Sequence, residues 1–481
     1  MKTNTPLTLA TLFTALLMVG GSLVAQQSGS KPADKPFQLT HYDKRIPADS
    51  WMLVSMDLDV FFSSKALMKA AFENSDGEDA PPKALVDLLT SGKIKMVFPY
   101  PIIFGFGGDS DKPGNSPDKN PIVMEFLKQR CQLGLYLNLS LVPDEVVTAI
   151  YRQEASSGNV KLTEAQVLEL FRAIKQALPP THVGMNFNKG EFNLMGAIHD
   201  KDMADKWPGN GLPKTLLNAI PVSSMMVLGA SLNVEEANED IQARLGQFLK
   251  IVDVLQKIDA PNGQPPLGLE QMSAQLNAMT RETVGMDAKD LLKIFQGDFV
   301  MGIGMDLVNN AGVVEPEPRI VIGATIKEEG KLTNLLDALE ANGVLANPMI
   351  NVVRRPGHLF ICTPNLASQL KRGDLARPIA GAARKALQDN HLSLFADMKK
   401  IMKLQTRTGL DLFGQDDPEL TAMFKQMDSM ILAARFEEGK VNPKFAFQFR
   451  DPRLDTFEFF LKLGTIQQAR TDSLDQGQEE R

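Results

Sequence analysis

The chain has 481 residues, 43% of them apolar, a formal net charge of −7 and two cysteines. That length and apolar content supply two or three cores at about 100–200 residues per domain and exclude a disordered stalk. Lys and Arg are scattered among carboxylates, which excludes a nucleic-acid partner, because phosphate binding needs clustered positive charge.

In chain order, the first 25 residues come first. They have the layout of a secretory signal peptide: the basic start Met1-Lys2-Thr3, an apolar run from Leu7 to Val19, and the ending Leu23-Val24-Ala25. A membrane anchor needs about 20 continuous apolar residues, and Thr8, Thr11, Thr14, Gly20, Gly21 and Ser22 interrupt this run. The expectation is cleavage after Ala25, a linker over 26–39, no transmembrane segment in the mature chain, and export to the periplasm or cell envelope, or beyond it. Neither Cys131 nor Cys362 lies near the cut, so lipoprotein-type acylation is excluded.

An internal repeat follows. Ile46-Pro47-Ala48-Asp49-Ser50-Trp51-Met52 runs on to Leu58-Asp59-Val60, and Ile220-Pro221-Val222-Ser223-Ser224-Met225-Met226 runs on to Leu232-Asn233-Val234. In each copy a proline opens an apolar strand, where its missing N–H is harmless, and Asp59 or Asn233 stands as cap of a following helix. Each segment also ends alike: Gly190 and Gly439 sit between apolar runs, the pattern of a hairpin turn needing positive φ. Helix-like stretches follow from Asp200 and from Asp451. The reading is α+β, with two related modules of mainly antiparallel sheet and packed helices. They span 40–215 and 216–466, the second larger by about 75 residues, with a disordered tail over 467–481.

Within the second module the pattern predicts a short helix over Asp290 to Phe295, a strand over Phe299 to Met305 and a strand over Arg319 to Ile326. A Leu-spaced helix over Glu328 to Ala341 follows, then strands Ile350 to Arg354 and His358 to Thr363 about the turn Pro356-Gly357, and a strand at Leu392 to Ala396. Asp109 to Asn120 and Asp259 to Leu267 read as loops.

The opening Ile46-Pro47-Ala48-Asp49-Ser50 with its strand, the passage Leu291-Leu292-Lys293-Ile294-Phe295-Gln296-Gly297-Asp298-Phe299, and Val321 to Leu339 together resemble envelope proteins of the DUF4836 kind, a bacterial family of unknown function. The resemblance implies a fold; that family has no accepted catalytic residues, so it implies no site.

Candidate chemistry is thin. Gly105-Phe106-Gly107-Gly108 lacks the third glycine of a dinucleotide loop, and Pro113 and Pro117 block the helix that would receive a phosphate. Asp109-Ser110-Asp111-Lys112-Pro113-Gly114 opens like a calcium loop, but Pro113 and Asn120 stand where two oxygen ligands belong. Asp57 and Asp59 share a strand face, whereas the second copy has Ser231 and Asn233. Ser50, Ser224 and Ser393 have no nucleophile elbow. The histidines His41, His182, His199, His358 and His391 are dispersed, without ligand spacing. Cys131 and Cys362 are either bridged or separately buried. Methionines such as Met225, Met226, Met423, Met427 and Met430 suit core filling or an adaptable groove. No catalytic, cofactor-binding or metal residue is assigned and no cofactor is expected. The leading expectation is an exported, non-catalytic envelope protein with a binding or scaffolding role. A secreted hydrolase with dispersed active-site residues, or a periplasmic carrier of an apolar ligand, are the alternatives.

Overall fold

The computed structural model describes residues 46–57, 102–107, 116–129, 131–156, 162–240, 284–310, 313–373, 375–408 and 418–464, with scattered positions between 244 and 282. The signal segment, the linker, the tail, Asp59 and the loop Asp259 to Leu267 lie outside the described residues, as does 108–115.

The first part of the chain contributes β1 (Met52–Met56), β2 (Ile102–Phe106), α1 (Pro121–Gln129), β3 (Leu133–Leu137), α2 (Asp144–Ser156) and α3 (Glu164–Ala177). The hairpin β4 (Thr181–Asn188) and β5 (Glu191–Ile198) follows, then α4 (Lys201–Lys206) and α5 (Lys214–Leu217). Gly190 turns that hairpin at φ 71°. A β-carbon there would also strike the backbone of Pro452, so glycine is required twice over. Next come β6 (Met226–Ser231), α6 (Ala288–Ile294), β7 (Phe295–Asn310), β8 (Val313–Ile326), α7 (Glu329–Ala341), β9 (Asn351–Arg355), β10 (His358–Cys362) and α8 (Pro364–Arg372). The chain then forms α9 (Gly381–Asp389), β11 (Leu392–Asp397), α10 (Met398–Thr408), α11 (Pro418–Phe424), β12 (Met427–Glu437), β13 (Lys440–Phe449) and a helix over 456–464.

All strands among the described residues join one 13-stranded antiparallel sheet, in the order β2-β1-β3-β4-β5-β13-β12-β11-β6-β7-β8-β10-β9. The α+β, antiparallel expectation is therefore met, in one large sheet. β5 and β13 would each expose a row of unpaired backbone groups, and pairing them removes both open edges. The division at 215/216 falls inside α5, whose Leu216 and Leu217 are buried.

Outward from the β5–β13 seam, one side runs β4, β3, β1, β2 and the other β12, β11, β6, β7. Backbone contacts recur across the seam. Asn138 N donates to Trp51 O at 2.8 Å, and Asp397 N to Met225 O at 2.7 Å; Asp57 N donates to Gln132 O at 2.6 Å, and Ser231 N to His391 O at 2.7 Å. The side chains of Gln132 and His391 each accept the backbone N–H of a phenylalanine, Phe187 and Phe436. Strands β8, β10 and β9 extend the second side further, and β7 and β8 run longer than the pattern predicts. Pro316 and Pro318 lie where β8 pairs with β7 but not with β10, so their missing N–H groups break no ladder on that side.

Strand alternation sends apolar side chains to both faces of the sheet, as two of the five buried clusters among the described residues show. Val227, Val300, Val321, Phe360 and Phe395 face helices α5, α8 and α9 through Leu216, Leu366, Leu370 and Leu387, with Ile220 just beyond α5. Their strand neighbours Met226 and Ala396 point the other way, into a core with Phe192, Leu194, Phe447, Ile401 of α10, Met423 of α11 and Phe459. Each large side chain buried this way contributes about 1.5–3 kcal/mol.

Phe360→Ala is expected to lower unfolding free energy by about 3–5 kcal/mol, because Phe360 is fully buried, whereas Ile150→Ala, at a side chain 56% exposed, should change it by under about 0.5 kcal/mol. Urea midpoints of the two variants against the parent measure both.

Candidate functional site

At one end of the strands β6, β7 and β8 a cleft of about 530 Å³ opens, lined by Gly209, Asn210, Asn233, Gln296, Asp298 and Lys327 among others. The backbone makes it. The β7–β8 register shifts between Phe295 and Phe299, and within that bulge Gly297 adopts φ 107°. A β-carbon on Gly297 would strike Leu232 O, and one on Gly209 would meet Ser231 Oγ at 2.5 Å. Bulges of this kind re-aim a side chain, here that of Asp298.

Asp298 is 7% exposed and forms the floor. Its two carboxylate oxygens accept from hydroxyls on the flanking strands, Ser231 Oγ at 2.7 Å and Thr325 Oγ1 at 3.2 Å. Ser231 Oγ in turn accepts from Gly211 N at 3.0 Å. A hydroxyl has one proton and a carboxylate only accepts, so the proton of Ser231 is committed to Asp298. The mouth is polar: Asn210 and Gln296 are exposed, Asn233 Nδ2 donates to Glu236 at 2.9 Å, and Lys327 Nζ pairs with Glu235 at 3.0 Å. The hydrogen bond from Lys327 holds the Glu235 carboxyl below its usual range.

A second polar cluster lies beneath α1. His182 is fully buried; Gln129 Nε2 lies 2.7 Å from its Nε2, and His199 Nε2 lies 3.3 Å from its Nδ1. With Gln129 donating to Nε2, the His182 proton sits on Nδ1 and points at His199. Cys131 Sγ lies 3.8 Å from Gln129 Oε1 and accepts from Asn186 Nδ2 at 3.9 Å. Lys440 of β13 pairs with Glu125 of α1 at 2.6 Å, tying this cluster across the seam. Burial pushes His182 down to about 4, with Glu125 opposing the shift and His199 and Lys440 adding to it. Burial also lowers His199, and raises the Cys131 thiol to about 11, so Cys131 stays a thiol near neutrality.

The residues weighed in the sequence fare unequally. Cys131 and Cys362 are free and separately buried, and burial pushes Cys362 to about 11 as well. Asp57 is half-buried at the end of β1, while its proposed companion Asp59 lies outside the described residues. Gly105 and Phe106 end β2, and the start of the calcium-like loop lies outside the described residues. Ser50, Ser224 and Ser393 are buried; Ser50 Oγ donates to Pro47 O at 2.8 Å. Met225, Met423 and Met427 are buried in the core with Phe192 and Phe449. Among the described residues no three His, Cys, Asp or Glu side chains could hold a metal ion.

Two groupings escaped sequence reasoning. His182 and His199 meet because they lie near-symmetrically about the turn at Gly190, so the hairpin register was the available signal. Asp298 had no signal beyond the Gln296-Gly297-Asp298 step, since the bulge that aims it is a tertiary feature. No family model, curated protein or solved structure matches the chain; the resemblance drawn above rests on its sequence signatures alone.

A buried histidine whose folded pKa is depressed contributes stability that is complete above its unfolded value and is lost as pH falls through its folded value. For His182 that window runs from 6.5 down to about 4. Across it the parent should lose up to about 3 kcal/mol through this group, and the loss should shrink in His182→Gln. Urea unfolding of both proteins at several pH values across that window is the measurement.

Proposed function

We propose that the protein is exported and serves the cell envelope as a non-catalytic binding or scaffolding platform, built by duplication of one α+β module. The observation that carries this reading is the continuous sheet. A strand order that repeats outward from β5–β13, with matching hydrogen bonds at Asn138 and Asp397 and at Gln132 and His391, is what two copies of one module joined edge to edge would produce. One continuous sheet offers a broad surface for a partner, with the copies paired edge to edge through β5 and β13.

The copies are unequal where it matters for binding. Asp57 in the first corresponds in the repeat to Ser231 in the second, and Ser231 is the residue that orients Asp298 in the cleft. A ligand site in one copy, on a scaffold retained in both, fits a binding protein. The carrier alternative is weakened because its methionines fill a packed core with phenylalanines. The hydrolase alternative has less support: His182 and Cys131 are buried and mutually hydrogen-bonded through Gln129.

Native mass spectrometry of the protein purified from its own envelope tests the proposal. The expected result is an intact mass beginning near Gln26 and a retained protein subunit. A retained lipid would favour the carrier, and turnover of an ester, peptide or glycoside panel by the purified protein would favour the hydrolase.

A further inference from the structure

We propose that the cleft floored by Asp298 binds a compact organic ligand through a primary ammonium group. This rests on the binding reading above and deepens it by naming the ligand class.

Four observations converge. The Asp298 carboxylate lies in the protein interior, 7% exposed, yet faces a cleft of about 530 Å³. Its partners are the hydroxyls of Ser231 and Thr325, which carry no charge, and no ion pair to Asp298 is formed among the described residues. A carboxylate withdrawn from water without a cation is costly, and a cation arriving in the cleft offsets that cost. Two of its roughly four lone-pair positions are occupied, so the oxygens still accept from a ligand.

Among the described residues lining the cleft the one lysine, Lys327, is not that cation, because its Nζ is held by Glu235 at 3.0 Å. Around the mouth stand the neutral amides of Asn210 and Gln296, both exposed, whose oxygens accept N–H donors. An ammonium brings three such donors, enough for the carboxylate and two amide oxygens together. The room is enforced by backbone: Gly297 and Gly209 stand where a β-carbon would strike Leu232 O or Ser231 Oγ. The arrangement is specific to this end of the sheet, since it depends on the bulge between Phe295 and Phe299.

Isothermal titration calorimetry of the full mature chain with putrescine tests the assignment. Butane-1,4-diol has the same length without charge, and tetramethylammonium chloride has charge without N–H donors; both are titrated at matched ionic strength. The expected result is saturable binding of putrescine at one site, no saturable binding of either control, and affinity weakened at least about tenfold in Asp298→Asn. Gln296→Ala, at an exposed side chain that leaves the fold intact, should also weaken binding and decides the matter should Asp298→Asn not fold. Absence of saturable putrescine binding at millimolar concentration overturns the proposal. So does equal binding of a control, or undiminished binding in every folded variant. Loss of this site leaves the retained subunit seen by native mass spectrometry untouched, so the two readings fail separately.

Discussion

The pairing of β5 with β13 is the constraint on which the rest depends. Its register sets Met195 opposite Lys444 and Phe192 opposite Phe447, so one face of the seam is aromatic and apolar. Phe192, Phe445, Phe447 and Phe460 pack there with ring centroids 4.4–6.4 Å apart. The opposite face carries Lys444, only 8% exposed, whose pKa burial pushes down. A one-residue slip would exchange the two faces, burying polar groups among the phenylalanines. The register is therefore strongly specified, and with it the position of every strand farther out.

Two half-buried side chains serve the strand backbones that flank the seam. Gln132 and His391 each satisfy a phenylalanine N–H, so a buried backbone donor on β4 and another on β12 have side-chain acceptors rather than water. His182 uses both ring nitrogens. Asp298 differs in kind. Its hydrogen bonds come from two hydroxyls on the flanking strands, and a local departure from regular strand geometry at Gly297 holds it in place.

Much of the fold was legible from local chemistry. The turns at Gly190, Gly357 and Gly439 all have φ near 70°, the requirement that made glycine between apolar runs readable as a hairpin. The helix Glu329–Ala341 and the strand Leu392–Asp397 follow from leucine spacing and alternation. What could not be read is what depends on distant partners. β7 reaches Asn310 because β8 is there to pair with it, and the sheet is continuous at its middle because β5 and β13, far apart in the sequence, pair with each other. The candidate site belongs to that second kind: Ser231, Asp298 and Thr325 meet only once three strands are in register.

The seam also orders the folding of the molecule in time. β13 is the last strand among the described residues yet lies at the middle of the sheet, against β5, so the central contact joins residues near 195 to residues near 444. Contacts of such long sequence separation form slowly, because the loop between them must first be closed. Until β13 has formed, β5 keeps a bare edge on the side away from β4. The architecture that makes the finished sheet continuous thus leaves β5 open to wrong strand partners until β13 arrives.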